Sequence, residues 1–227
     1  KIKKYIKAVF SIFGYQIIKV PSIIAPQERP FWERQDEFNA VYEQIKERTV
    51  VSKNRCLMIY QLLRHANQLQ GDVAEVGVYK GGIAKLIAKT APHKNVYLFD
   101  TFSGLPAVSE EINTYNKRFN DTSLRSVKSF LQDCSNVTLY QGTFPGTASA
   151  IEGNNFSFIH IDADLYRSVK DCLEFFYPRM VKGGIIVIDD YDSWAWPEVK
   201  KAVSEFLADK LEYPIITTEI QCAIIKL

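Results

Sequence analysis

The chain is poor in the residues that build disulfide or zinc scaffolds. Its 227 residues include only four cysteines and three histidines. Cys56, Cys134, Cys172 and Cys222 lie 78, 38 and 50 positions apart with no C-x-x-C pair, and His65, His93 and His160 are isolated, so a Cys/His zinc site is not expected. Thiols scattered in this way point to reduced cysteines in a cytoplasmic protein. Net charge is scarce too: 28 Lys+Arg against 26 Asp+Glu leave +2, too even to announce a nucleic-acid partner. A long hydrophobic run is also missing. The uncharged stretch 8–18 has 11 residues, too few to span a bilayer. There is no internal repeat and no low-complexity segment. Apolar residues at 47% and charged residues at 24% exclude disorder and collagen-like structure. A chain of this length buries roughly 70% of its unfolded surface and needs no staple to fold.

The even charge hides an asymmetry. Residues 1–27 hold five lysines (Lys1, Lys3, Lys4, Lys7, Lys19) and no acid, while the rest carries 23 bases and 26 acids. Apolar residues at Ile2, Tyr5, Ile6, Val9, Phe10, Phe13, Ile17 and Val20 give this leader a helical spacing. A basic start before a short apolar run also has the outline of a signal peptide, but no small-x-small cleavage site follows. The expectation is an amphipathic helix packed on the body or on a second subunit of a homo-oligomer, with contact to a membrane surface a lesser alternative. Pro21, Pro26 and Pro30 then mark a connector. The boundaries expected are an N-terminal helical arm over 1–54 and a main domain over 55–227.

Helical spacing resumes at Phe38, Val41, Tyr42 and Ile45, and again over 53–69. From residue 72 the rhythm changes. Short β-branched runs (72–78, 95–100, 136–141, 156–162, 184–190) alternate with helical stretches near 81–90, 122–134, 167–180 and 195–209. The runs 214–219 and 221–227 are close enough to form a hairpin. Strand–helix alternation means right-handed crossovers and a parallel sheet, and continuous apolar runs mean strands buried on both faces. The fold class expected is therefore α/β: a Rossmann-like, seven-stranded, mostly parallel sheet with helices on both faces, preceded by a helical segment.

Ligands of such sheets bind beyond the carboxyl ends of the strands, where this chain places Glu75, Gly77, Asp100, Gln141, Asp162, Asp164, Asp189 and Asp190. Gly77, Gly81 and Gly82 do not fit G-x-G-x-x-G, which disfavours a nicotinamide cofactor. Asp100, one βα unit later, is placed to accept hydrogen bonds from both hydroxyls of an adenosine ribose, although an acid there also serves as a turn or cap residue. The sharpest feature is the pair I-D-A-D-L-Y and I-D-D-Y at the ends of two adjacent runs. Four carboxylates together repel unless a cation joins them, and an all-oxygen set argues for Mg²⁺, with Ca²⁺ or Mn²⁺ as alternatives. Capping of the next helices would explain one aspartate per turn but not a doubled pair in both.

These residues carry a resemblance. GDVAEVGVYKGG, LFDTFSGLP and IDADLYRSVKDCLEFFYPRMVKGGIIVIDDY closely resemble the macrocin O-methyltransferase (TylF-type) family of class I S-adenosylmethionine-dependent enzymes, over about residues 55–227. The resemblance implies methyl transfer to a sugar hydroxyl of a small-molecule or glycoside acceptor. It implies a cofactor site at Glu75, Gly77, Gly81, Asp100, Thr101, Phe102, Gln141, Gly142 and Asp162. It also implies Mg²⁺ on Asp162, Asp189 and Asp190, and Asp164 as the general base. Ser103 stands where the family often has an acid. The chemistry suits these parts: a bound metal lowers the pKa of a hydroxyl and a carboxylate takes its proton. Asp164 faces the pocket of Asp162 if the chain stays extended between them. The long connection 101–123 could close as a lid through Phe102, Leu105, Tyr115 and Phe119, and Trp194 or Trp196 could line the acceptor site. Two other readings remain: a non-sugar vicinal diol as acceptor, or a cofactor-binding partner protein without turnover.

Overall fold

The structure, a computed structural model, describes residues 34–105 and 118–227. The leader helix expected over 1–20 and the middle of the expected lid, residues 106–117 with Tyr115, lie outside the described residues. Residues 35–227 form one compact unit, which takes in residues 35–54.

Two helices open this unit, α1 (Asp36–Ile45) and α2 (Lys53–Ala66). Helix α2 starts where Ser52 caps it, its hydroxyl accepting from the Arg55 amide at 3.3 Å. The alternating part follows: β1 (Asp72–Val76), α3 (Gly82–Thr90), β2 (Val96–Asp100), α4 (Leu124–Phe130), β3 (Val137–Gln141), β4 (Phe156–Ile161), α5 (Tyr166–Phe176), β5 (Met180–Ile188), α6 (Pro197–Leu207), β6 (Ile215–Thr218) and β7 (Gln221–Ile225). The strands lie in the order β3-β2-β1-β4-β5-β7-β6, parallel except for β7, which runs antiparallel to both of its neighbours. This is the sheet expected from the strand count.

Side chains alternate across each strand, so each contributes to two cores. Ala74, Val76, Phe99, Ile159, Ile161, Ile186 and Ile188 pack with Val169, Leu173 and Phe176 of α5 and Val199, Ala202 and Val203 of α6. The intervening positions, Glu75, His160 and Val187 among them, take the other face, against which α2 packs at β4 and β5. One strand is longer than its sequence suggests. β5 begins at Met180 rather than near 184, because a bulge lets Phe156 pair with Met180 and Phe158 with Ile185. Gly183 and Gly184 at this bulge read as a break in the sequence.

Candidate active site

The carboxyl ends of β1, β2, β4 and β5 open into one cleft, bounded also by the start of α3 and by residues 48–51 before α2. The turn after β1 depends on glycine. Gly77 has φ +91°, and a Cβ there would overlap the carbonyl oxygen of Asp162 and lie 2.7 Å from its carbon. The β1 and β4 ends therefore meet backbone to backbone, which only glycine permits. Of the expected cofactor residues, Glu75, Gly77, Asp100, Thr101, Gly142 and Asp162 line the cleft. Gly81, Phe102 and Gln141 stand outside its walls. Gly81 serves as the left-handed N-cap of α3, Phe102 is buried, and the exposed Gln141 donates to the Thr101 carbonyl at 3.4 Å.

Asp100 reaches the cleft with its oxygens already engaged. Oδ2 accepts from the Val78 and Tyr79 amides at 2.7 and 2.8 Å, and Oδ1 accepts from the Phe102 amide at 2.6 Å. A carboxylate has about four acceptor sites, so much of this one is spent holding the glycine turn. Glu75 is the opposite case. Its Oε1 pairs with His160 Nδ1 at 3.0 Å, while its buried Oε2 has no hydrogen-bond partner. An orphaned buried oxygen on a cleft-lining residue fits a cofactor that brings a donor or a cation.

The aspartates divide three to one. Carboxylate oxygens of Asp162, Asp164 and Asp190 lie within 4.8 Å of one another. Asp189, expected among the metal ligands, is instead turned into the sheet. Its Oδ2 pairs with His160 Nε2 at 3.0 Å, and its Oδ1 accepts from Gln221 Nε2 at 2.9 Å and Arg55 Nη1 at 3.2 Å. The reason is parity. Asp189 continues the alternation of Val187 and shares the α2 face with His160, whereas Asp190, at φ +59°, leaves the strand. Asp164 also departs from its expected route. It is not extended but left-handed, φ +57°, and this turn brings it beside Asp162. Aspartate tolerates that region better than most residues.

The charges explain one another. Burial, reinforced by Asp190, raises the pKa of Asp164 to about 8 against the opposing pull of Arg118. Burial and the charges of Asp189, Asp164 and Asp190 likewise hold the Asp162 carboxyl well above its usual range, and burial with Asp189 raises Asp190. Asp189 moves the other way: although burial opposes its charge, the bond to His160 outweighs that and lowers its pKa. Burial also disfavours the His160 imidazolium, yet its bonds to Asp189 and Glu75 lift its pKa to about 10. The three clustered acids thus repel one another inside a desolvated pocket. Their all-oxygen donor set fits a hard divalent cation, which would relieve that repulsion.

Three contributors were missed in the sequence. Two are Arg55 and the pairing of His160 with both Glu75 and Asp189. The third is a latch: Asp121 accepts from Tyr79 Oη at 2.7 Å and from Lys80 at 2.6 Å, Thr122 Oγ1 donates to the Tyr79 carbonyl at 2.6 Å, and Phe119 meets the Tyr79 ring edge-on. It fixes the return of the long connection against the glycine turn. Of the two tryptophans, Trp194 is 94% exposed, while Trp196 packs against the core with the Arg118 guanidinium 5.5 Å from its ring.

This strand order, with a glycine turn after β1 and a ligand cleft at the strand ends, defines a class I methyltransferase fold, and the solved O-methyltransferase NovP superposes with a TM-score of 0.71 at 25% identity over 79% of this chain and 82% of that one. The family model described as macrocin O-methyltransferase (TylF) matches residues 39–226, and the chain belongs to that family. Among its relatives are the demethyldecarbamoylnovobiocin O-methyltransferase of Streptomyces niveus, 26% identical over 63% of this chain, and the mycinamicin III 3''-O-methyltransferase of Micromonospora griseorubida, 29% identical over 60% of it. The chain spans about 60% of the length of each of these two relatives. No helix among the described residues is long and apolar enough to cross a membrane.

Proposed function

We propose that the protein transfers a methyl group from S-adenosylmethionine to a sugar hydroxyl of a small-molecule glycoside, with Mg²⁺ or a similar hard cation in the acidic cluster. The observation that carries this reading is the group of three carboxylates, Asp162, Asp164 and Asp190, beside the glycine-turn cleft. The family relationship and the names of the relatives support the acceptor class.

In this reading Gly77 and Gly142 line the cleft that takes the cofactor, and Glu75 Oε2 accepts from its cationic end. Asp100 shapes the turn beneath it. Asp162 and Asp190 hold the cation, and Asp189, engaged by His160, Gln221 and Arg55, does not ligate it. S-adenosylmethionine supplies the electrophilic methyl group, and the cation supplies the charge that makes a bound hydroxyl acidic. Asp164, beside Asp162 and Asp190, accepts the hydroxyl proton. Alignment of the hydroxyl is the remaining task of the cleft.

The test is methyl transfer to a panel of deoxysugar glycosides, with a catechol as the non-sugar control, in Mg²⁺ and in EDTA, alongside calorimetry with S-adenosylhomocysteine. The expected result is micromolar cofactor binding and Mg²⁺-dependent methylation of at least one glycoside. Cofactor binding with equal turnover in EDTA would remove the cation from the reading, and methylation of catechol alone would replace the acceptor class.

A further inference from the structure

The acidic cluster has a guanidinium built in beside it. Arg55, in the first turn of α2, places Nη1 at 3.2 Å from Asp189 Oδ1 and 3.8 Å from Asp190 Oδ1, and Nε at 3.8 Å from Glu219 Oε2. Its side chain is only 12% exposed, and it lines the cleft. The helix start is clamped behind it: Ser52 Oγ and Asn54 Nδ2 donate to the two Glu219 oxygens at 2.7 and 3.1 Å. An arginine cannot shed its proton in a protein, so this charge is permanent.

We propose that Arg55 is the resident counter-cation of the acidic cluster. It holds Asp189 and Asp190 in place in the metal-free protein and, through its own positive charge, limits how tightly the cluster binds a divalent ion. The inference rests on the reading of the cluster as a cation site. Arg55 acts as a positioning residue, since it reaches the candidate ligand Asp190 and its neighbour rather than a reacting atom. The two aspartates are held unequally. Asp189 receives Arg55, Gln221 and His160 together and is fixed. Asp190 meets Arg55 at 3.8 Å, beyond hydrogen-bond range, so the guanidinium holds it by charge and less firmly than Asp189. Among the described residues, His160 on β4 and Arg118 near Asp164 also act on the charges of these aspartates. The guanidinium offsets part of that charge without closing the site.

The sign of the effect separates this role from a merely structural one. A structural arginine, once removed, loosens the cluster and weakens metal binding. Removing a counter-cation leaves the carboxylates more negative and strengthens it. The experiment uses the full chain with Arg55→Met and the milder Arg55→Gln, and follows thermal melting in EDTA and in graded Mg²⁺, with calorimetric Mg²⁺ titration. Both variants should melt lower than the parent in EDTA, gain more from Mg²⁺, and bind it at least about tenfold more tightly, as expected when one like charge is removed close to a divalent ion. Arg55→Lys, which keeps the charge, should bind Mg²⁺ within about threefold of the parent. Should Arg55→Met be unfolded in EDTA, Mg²⁺-driven refolding reports the same tightening, and Arg55→Gln supplies the affinity. Unchanged or weaker Mg²⁺ binding in the neutral variants, with the parent binding normally, overturns the proposal alone. If parent and variants all fail to respond to Mg²⁺, the cation reading of the site falls together with it.

Discussion

Replacing Gly77 with alanine tests the claim that the β1 and β4 ends meet at bare backbone. Two costs are expected. At φ +91° an L-residue sits in the left-handed half of the map, worth about 1–2 kcal/mol. The added methyl also overlaps the Asp162 carbonyl, and neither partner can move freely, because the Gly77 amide donates to the Phe99 carbonyl and the Asp162 amide to the Val76 carbonyl, both at 2.9 Å. Overpacking of this kind costs about 1–3 kcal/mol. Together they predict a loss of roughly 2–5 kcal/mol, which in a domain of this size lowers Tm by about 5–15 °C. The displaced residue is Asp162, so Mg²⁺ and S-adenosylhomocysteine affinities should fall with it. Gly153→Ala is the matched control: a Cβ added there would have nothing within 4 Å and its φ is not positive, so its Tm should stay within about 2 °C. The assay is differential scanning fluorimetry with calorimetry on both variants. A Gly77→Ala protein melting within about 2 °C of the parent and binding S-adenosylhomocysteine normally would refute the packing argument.

Three further outcomes follow from the same geometry. Asp164→Asn, which preserves size and tolerance of positive φ, should lower single-turnover methyl transfer by about 10²–10⁴-fold with no rescue by Mg²⁺; Asp190→Asn should be partly rescued by excess Mg²⁺, and rescue of the Asp164 variant would make that residue a ligand. Glu212, although burial opposes its charge, has its pKa lowered to about 2 by Lys226, Tyr177 and the Leu227 amide. A carboxylate depressed on folding contributes stability above its unfolded pKa near 4.5 and loses it as pH falls toward 2, so Glu212→Gln should cost about 1–3 kcal/mol in urea denaturation at pH 7, and the gap should narrow below pH 4.5; a gap independent of pH would contradict this. Tyr79→Phe removes one strut of the latch, and hydrogen exchange at residues 118–122 should quicken while Tm falls by no more than a few degrees; unchanged exchange would show that the other contacts suffice.

What could be read in the sequence was whatever depends on neighbours along the chain. β1 to β4 appear within a residue or two of the expected runs because buried parallel strands are written as contiguous apolar stretches. The carboxylates at the strand ends were visible for the same reason. Their individual roles were not. Whether Asp189 or Asp190 enters the cleft depends on where β5 ends relative to its pleat, and a D-D pair offers both parities. Strand alternation would bring Asp164 to the cluster on extended backbone, yet it arrives through a left-handed turn. Arg55 lies more than a hundred positions before the acids it meets. Only the packing of α2 across β4 and β5 brings it there, and no local pattern encodes that.

The Glu75–His160–Asp189 chain has a consequence for how the sheet finds its alignment. Parallel strands buried on both faces are made of near-interchangeable residues, here Val73, Ala74, Val76, Phe158, Ile159, Ile161, Ile185 and Ile186, so hydrophobic burial by itself scarcely tells one alignment from its neighbour. His160 stands directly opposite Glu75 on β1, and Asp189 lies two residues beyond its other neighbour, Val187. Sliding β4 by one position would turn the imidazole toward the α5–α6 core and leave two carboxylates buried without it, a penalty far larger than any difference in aliphatic packing. The charged triplet therefore acts as an index mark at the centre of the sheet: it rejects near-miss alignments of β1, β4 and β5 and, in doing so, sets the depth at which the carboxylates beyond the strand ends emerge.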